Sequence, residues 1–185
     1  YMLSALVPKV KSCSDALSAQ ELGNAMYGMQ KMSSDSAEVR AMVLAMVPKV
    51  ESCREALCSQ AVGNILYGMQ AMSGDNVEVR TMLLALAPKV KACRESLDAQ
   101  AVGNTLYGMH RMSSEISEVR VMVSALAHTV GSCRDTLGAQ AVGNALYGMQ
   151  GMSSDSAEVC DMLFALTPKV EGCREAFGAQ SIGNS

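Results

Sequence analysis

The sequence predicts an all-α protein, built as a right-handed α-solenoid of about 4.5 two-helix repeats. Three observations predict this fold: a motif that returns every 40 residues, apolar positions spaced by three and four, and uninterrupted copies. Five equivalent cysteines mark the period: Cys13, Cys53, Cys93, Cys133 and Cys173. A period of about 40 residues suits stacked helix pairs and is too long for ankyrin or tetratricopeptide units.

The 185 residues therefore form a single solenoid with a partial unit at either end. The predicted boundaries are a partial repeat at 1–17, four repeats at 18–57, 58–97, 98–137 and 138–177, and a partial repeat at 178–185. Because the sequence begins with Tyr1 and stops inside a unit, we expect a piece of a longer array. Neither end has a polar capping unit, so further repeats or a partner are expected to cover the apolar edges.

Each repeat is predicted to hold two helices, here called helix A and helix B. Helix A is expected over about 20–32, where apolar side chains recur on one side at helical spacing. A Ser-Ser-Asp-Ser turn follows, and Asp35 with Glu38 predicts a capping box at the start of helix B. Apolar positions keep their phase over 39–57 through Pro48, which predicts one helix bent at the proline rather than two.

Two glycines in each helix A indicate close packing between repeats. Gly23 and Gly28 recur with the period, although a glycine inside a helix costs about 1 kcal/mol relative to alanine. They flank a polar strip, about 60° wide, that holds Gln20, Asn24 and Tyr27. We therefore expect the glycines to let equivalent A helices approach one another, in one parallel row with the B helices behind it.

The polar strip is the candidate binding surface, because stacking would align it into a ladder with the 8–10 Å spacing typical of packed helices. We call these twelve side chains the amide–tyrosine ladder: Gln20, Asn24, Tyr27, Gln60, Asn64, Tyr67, Gln100, Asn104, Tyr107, Gln140, Asn144 and Tyr147. Two interpretations are open. Either the ladder stabilises the stack itself, or it binds an extended ligand, single-stranded RNA or a peptide.

Catalytic and metal-dependent functions are disfavoured. There is no Cys-x-x-Cys motif, and the two histidines, His110 and His128, lie 18 residues apart in different predicted helices. A catalytic centre is usually unique, whereas nearly every polar motif here recurs, so we expect no enzyme, no metal and no cofactor. The periodic cysteines are expected to be buried, reduced thiols, which favours a reducing compartment.

The charge pattern favours a protein partner over nucleic acid. The formal net charge is −3, and only Lys31 and Arg111 add cations to the polar strip. A surface that tracks phosphates normally aligns many lysines and arginines, so DNA is not expected as a partner. No apolar run approaches the roughly 18 residues of a membrane span. From the residues alone we expect a scaffold or protein-interaction module within a larger complex.

The segment 20–32, Gln-Glu-Leu-Gly-Asn-Ala-Met-Tyr-Gly-Met-Gln-Lys-Met, resembles the first helix of octotricopeptide repeats. That pattern runs roughly Q-x-L-A-N-x-L-W-A-L-x-K-L, so Gly23 and Gly28 stand at alanine positions and Tyr27 at the tryptophan position. The segment Ala-Leu-Ala-Pro-Lys-Val at 85–90 is similar to the family's second helix, whereas its Pro-Pro-Pro-Glu-Trp segment is absent.

This resemblance implies an algal type of organellar protein, located in a chloroplast or mitochondrion. It also implies an alternative function, the binding of single-stranded RNA in transcript processing, stability or translation. The amide–tyrosine ladder would then face the RNA. Under the leading interpretation, the chain is instead an accessory subunit of a larger organellar assembly.

Overall fold

The computed structural model describes residues 2–179 and 183. In that part of the chain it has nine helices: α1 Met2–Ser12, α2 Ala19–Tyr27, α3 Ala37–Ser52, α4 Ser59–Gly68, α5 Val77–Lys91, α6 Ala99–Tyr107, α7 Ser117–Ser132, α8 Ala139–Gly148 and α9 Ala157–Glu171. The described residues contain no β-strand, so the all-α prediction is confirmed. The even-numbered helices are A helices and the odd-numbered helices are B helices.

The helices pack in two rows. Each A helix packs against the next A helix from α2 to α8, and each B helix packs against the next B helix from α1 to α9. One continuous cluster of buried apolar side chains draws on both rows, with Leu66 and Met69 from the A side and Leu83 and Leu86 from the B side. The row of A helices that the glycines predict is therefore present.

The two glycines of each repeat face opposite neighbours. A Cβ added to Gly63 would lie 3.4 Å from the Cα atom of Ala101 in the following A helix. A Cβ added to Gly68 would overlap the carbonyl oxygen of Met26 in the preceding A helix. The Gly68 position therefore excludes a side chain, whereas a Cβ at Gly63 would only reach van der Waals contact with its neighbour.

An acidic side chain near the end of each repeat caps helix A of the same repeat. Glu55 accepts a hydrogen bond of 2.9 Å from the Ala19 amide at the start of α2, and Glu95 accepts one of 3.0 Å from the Ser59 amide of α4. Carboxylates are favoured there because the first amides of a helix lack partners and carry partial positive charge. The remaining pairs are Asp135 with Ala99 and Glu175 with Ala139.

Arginine side chains stabilise the turn between helix A and helix B. The guanidinium of Arg40 donates to the carbonyl oxygens of Ser34 and Asp35, at 2.7 and 2.9 Å, and lies 3.7 Å from the Glu78 carboxylate of the next repeat. Arg80 and Arg120 bind the equivalent carbonyls. All three therefore hold their own turn, and Arg40 and Arg80 also contact a glutamate of the neighbouring repeat.

Lysines connect successive B helices. The ammonium of Lys89 in α5 donates to the carbonyl oxygen of Cys53, just beyond the end of α3, at 2.6 Å. The last carbonyls of a helix lack partners, so a cation placed there is favourable. The same bond joins two other pairs: Lys49 with Cys13, and Lys169 with Cys133. Helix α7 carries Thr129 at this position, and its hydroxyl donates instead to Leu126 of the same helix.

Helix A is shorter than predicted, because α2 ends at Tyr27 rather than near Met32. Beyond it, the amides of Met29 and Met32 donate to carbonyls three residues back, at 2.9 and 2.8 Å. This tighter turn reverses the chain toward helix B. Helix B is a single helix that includes Pro48, as predicted, but it ends at Ser52. Leu57 is therefore buried outside the helix.

The predicted capping box at Asp35 is wrong by one residue. Ser36 is the N-cap of α3, and its hydroxyl accepts from the Val39 amide at 3.4 Å. Asp35 belongs to the preceding turn, where its amide donates to the Ser33 hydroxyl at 3.2 Å.

A capping box does form at the start of α2, between Ser18 and Glu21. Hydrogen bonds from the Ser18 amide and hydroxyl lower the pKa of Glu21 below its ordinary value.

The prediction that all five periodic cysteines are buried is wrong for Cys13, which is exposed. Cys53 and Cys133 are buried, and Cys93 and Cys173 are half-buried. All five lie just past the end of helix B rather than within its apolar stripe, so the helix pattern alone does not determine their burial. Burial raises the pKa of the Cys93 and Cys133 thiols, which favours their neutral form.

Candidate functional site

The ladder lies on an accessible face of the A row. Its members are seven residues apart or less within each helix, at positions that share one face of an α-helix. The four glutamines are exposed, Asn24 is exposed, and the other three asparagines are half-buried. Tyr27 is 41% exposed and the other tyrosines are half-buried. All twelve predicted residues therefore reach solvent along one surface.

The four tyrosines form one continuous stack. The ring centroids are 5.8 Å apart from Tyr27 to Tyr67, 5.9 Å from Tyr67 to Tyr107 and 5.6 Å from Tyr107 to Tyr147. The planes of neighbouring rings differ by 22–28°. Aromatic pairs attract one another at these separations, so the stack adds stability along the A row.

The stack is too tight to admit a nucleobase between two rings. A flat base sandwiched between two rings needs them about 7 Å apart, because aromatic carbons in contact are separated by about 3.5 Å. The observed centroid distances do not exceed 5.9 Å. The ring edges and the hydroxyls, rather than the spaces between rings, are therefore left for a ligand.

His110 joins the stack in the third full repeat. Its ring centroid lies 5.1 Å from that of Tyr107 and 5.2 Å from that of Tyr147. Its Nδ1 atom lies 2.9 Å from the carbonyl oxygen of Tyr107. Sequence reasoning considered this histidine only as a metal ligand and missed this contact. The available signal was its place in the repeat, where the other copies have Gln30, Gln70 and Gln150.

The position of Tyr107 within the stack predicts a measurable change in its ionisation. Burial, and then the neighbouring Tyr147 and Tyr67, raise the pKa of the Tyr107 hydroxyl above the ordinary value of 10.0. Folding therefore favours the neutral phenol, so this contribution to stability is complete below pH 10 and is lost as the pH rises further. We expect an absorbance titration at alkaline pH to show a late-ionising phenol that Tyr107→Phe removes. An unchanged late phase in that variant would contradict this assignment.

The ladder amides carry no side-chain hydrogen bond to any other residue within 2–179 and 183. They line depressions between successive A helices. One depression, of about 230 Å³, is lined by Gln60, Asn64, Gln100 and Asn104 above Gly63 and Ala101. The next, of about 360 Å³, is lined by Gln100, Asn104, Gln140 and Asn144 above Gly103 and Ala141. The same glycines that allow close helix packing therefore form the floor of these depressions.

This arrangement suits hydrogen bonding to a peptide backbone. Each asparagine or glutamine side chain offers two donors and one carbonyl acceptor. A peptide group offers one donor and one acceptor, so a row of such amides can pair with successive peptide groups. The sequence predicted the alignment of these residues but gave no information on their unused hydrogen-bonding capacity.

The two cations predicted on the strip differ in availability. Lys31 is exposed. Arg111 donates to the carbonyl oxygen of Ala71 at 2.9 Å and lies 3.9 Å from the Asp35 carboxylate. Arg111 is therefore largely occupied within the protein.

No protein-family model matches the chain, and neither a curated protein nor a solved structure matches it. Across residues 2–179 and 183, no helix has both the length and the apolar character needed to cross a bilayer. In the same residues, no three side chains among histidine, cysteine, aspartate and glutamate come together as metal ligands.

Proposed function

We propose that the protein is a right-handed α-solenoid of 40-residue repeats that acts as a non-enzymatic scaffold. Its ladder would bind an extended segment of a partner protein, within a larger organellar assembly. One observation supports this proposal above the others: amides of four successive A helices face solvent side by side without internal partners in the described residues. Amides without internal hydrogen bonds add little to the stability of the stack, so we assign them to ligand binding.

The spacing along the ladder also supports an extended peptide. A β-strand advances about 6.6 Å for every two residues. The ladder tyrosines recur every 5.6–5.9 Å. An advance of two peptide residues is about 1 Å longer than this ring spacing, so two residues per repeat approximately match the ladder.

The second candidate is octotricopeptide-type binding of single-stranded RNA, favoured by the resemblance of helix A to that family. The closed tyrosine stack argues against it, because base stacking is a main source of affinity for single strands. The engaged Arg111 and the net charge of −3 argue in the same direction.

The proposal is tested with a displayed library of random 12-residue peptides. We expect enriched peptides to bind the 185-residue chain and to lose about 100-fold in affinity on the triple variant Asn64→Ala, Asn104→Ala, Asn144→Ala. Three lost hydrogen bonds of about 1 kcal/mol each account for this loss. The thermal midpoint of the variant should stay within a few degrees of the parent.

The control is the double variant Ser124→Ala, Thr167→Ala, which changes exposed residues on the B row and should leave peptide affinity unchanged. A parallel measurement uses random single-stranded RNA at about 50 and 200 mM salt. RNA binding that depends on the three asparagines and weakens with salt would replace the peptide proposal. Enriched peptides that bind the triple asparagine variant with unchanged affinity would also overturn the peptide proposal.

A further inference from the structure

The eight arginines fall into two groups. Arg40, Arg80, Arg111 and Arg120 bind backbone carbonyls, as described above. The other four are exposed and form no hydrogen bond or ion pair with another residue in the described part of the chain. They are Arg54, Arg94, Arg134 and Arg174, here called the arginine row. Each occupies the same position in its repeat, so the stack presents four equivalent arginines without a partner in the described residues.

The arginine row lies beside the glutamine end of the ladder. Each arginine directly precedes the acidic residue that caps the preceding helix A, as Arg174 precedes Glu175. Glu175 lines the same depression as Gln140 and Asn144. A ligand on the ladder would therefore pass close to this edge of the stack.

The carboxylates beside the row are occupied elsewhere. Glu175 accepts from the Ala139 amide at 2.7 Å, and Asp98, which lines the neighbouring depression, accepts from the Ala101 amide at 2.7 Å. Both therefore interact with the positive end of a helix. The guanidinium groups remain available for carboxylates supplied from outside.

We propose that the arginine row binds alternate carboxylates of an extended acidic peptide whose backbone lies on the ladder. This inference rests on the proposed function and specifies the class of partner. In a β-strand every second side chain points to the same side. Acidic residues at alternate positions would then meet successive arginines, whose planar guanidinium groups pair with carboxylates through two parallel hydrogen bonds.

The test uses fluorescently labelled nine-residue peptides of glutamate and serine at about 50 mM salt. One peptide has four glutamates at alternate positions, the second has the same four contiguous, and the third has glutamine in place of glutamate. We expect the alternating peptide to bind the 185-residue chain most tightly and the glutamine peptide least. The double variant Arg94→Gln, Arg134→Gln should weaken the alternating peptide about tenfold.

Lys91→Gln removes an exposed cation on the B row, away from the ladder and the arginine row, and should change the affinity less than twofold. Equal binding of the alternating and contiguous peptides, or no effect of the two arginine substitutions, would overturn the inference. Single-stranded RNA that binds through these arginines while the peptides do not would overturn it as well. If the triple asparagine variant lost affinity and the double arginine variant did not, the proposed function would be retained and only the role of the arginine row would be rejected.

Discussion

Substitution of Gly108 by alanine should lower the free energy of unfolding by about 3 kcal/mol, as expected for a strongly overpacked contact. Gly108 follows α6 with φ −60° and ψ −18°, a conformation that alanine adopts readily. The cost arises from the neighbouring repeat, because the new Cβ would overlap the carbonyl oxygen of Leu66 in α4. That oxygen cannot move without separating the two helices. Urea unfolding followed by circular dichroism measures the effect.

Gly28 provides the matched control. It has nearly the same backbone angles, φ −58° and ψ −19°, at the end of α2. The closest atom to an added Cβ there is the carbonyl oxygen of Ala25 in its own helix, at 3.3 Å. Gly28→Ala should therefore stabilise the chain by about 0.4–1 kcal/mol, because alanine restricts the unfolded state. Equal effects at Gly28 and Gly108 would contradict the close packing of A helices.

The sequence predicted these packing relationships because they depend on side-chain size at fixed positions along a helix. Gly23 and Gly28 recur on either side of the polar strip, and a helix with such a pattern has two possible close neighbours. The ends of the helices were less predictable. Tyr27 ends α2 because the following residues form a tight turn, which their apolar spacing does not reveal.

The alignment of the ladder could be predicted, but the contact between its tyrosines could not. Their separation depends on how neighbouring repeats pack, which no single unit contains. In the structure the rings of Tyr67 and Tyr107 lie 5.9 Å apart, which excludes an inserted base. The exclusion of a base from between the tyrosine rings therefore arises only when the repeats are stacked.

The polar contacts between residues far apart in the chain were also hidden in the sequence. Glu55 and Lys89 recur visibly with the period, but their partners lie 36 residues earlier in the chain. Recurrence alone does not separate such residues from the arginine row, which recurs just as regularly. Only the contacts in the structure distinguish the two groups.

Replacing Lys89 by methionine should lower the free energy of unfolding by about 2 kcal/mol, the usual contribution of hydrogen bonds from a charged group. Methionine retains much of the buried stem but removes the ammonium that binds the carbonyl oxygen of Cys53 at 2.6 Å. Lys91 lies two residues further along, is exposed, and binds no other residue within 2–179 and 183. Lys91→Met should therefore stay within about 0.5 kcal/mol of the parent in the same urea measurement.

The third full repeat allows the converse experiment, because Thr129 occupies the lysine position there. Its hydroxyl donates within its own helix, so the carbonyl of Cys93 lacks the lysine that its counterparts receive. Lys49 is only 8% exposed at the equivalent place, which shows that the interior accommodates the longer side chain. Thr129→Lys should therefore raise the free energy of unfolding by about 1 kcal/mol. If it destabilised the chain as much as Lys89→Met, the ammonium–carbonyl contact could not be the source of stability between B helices.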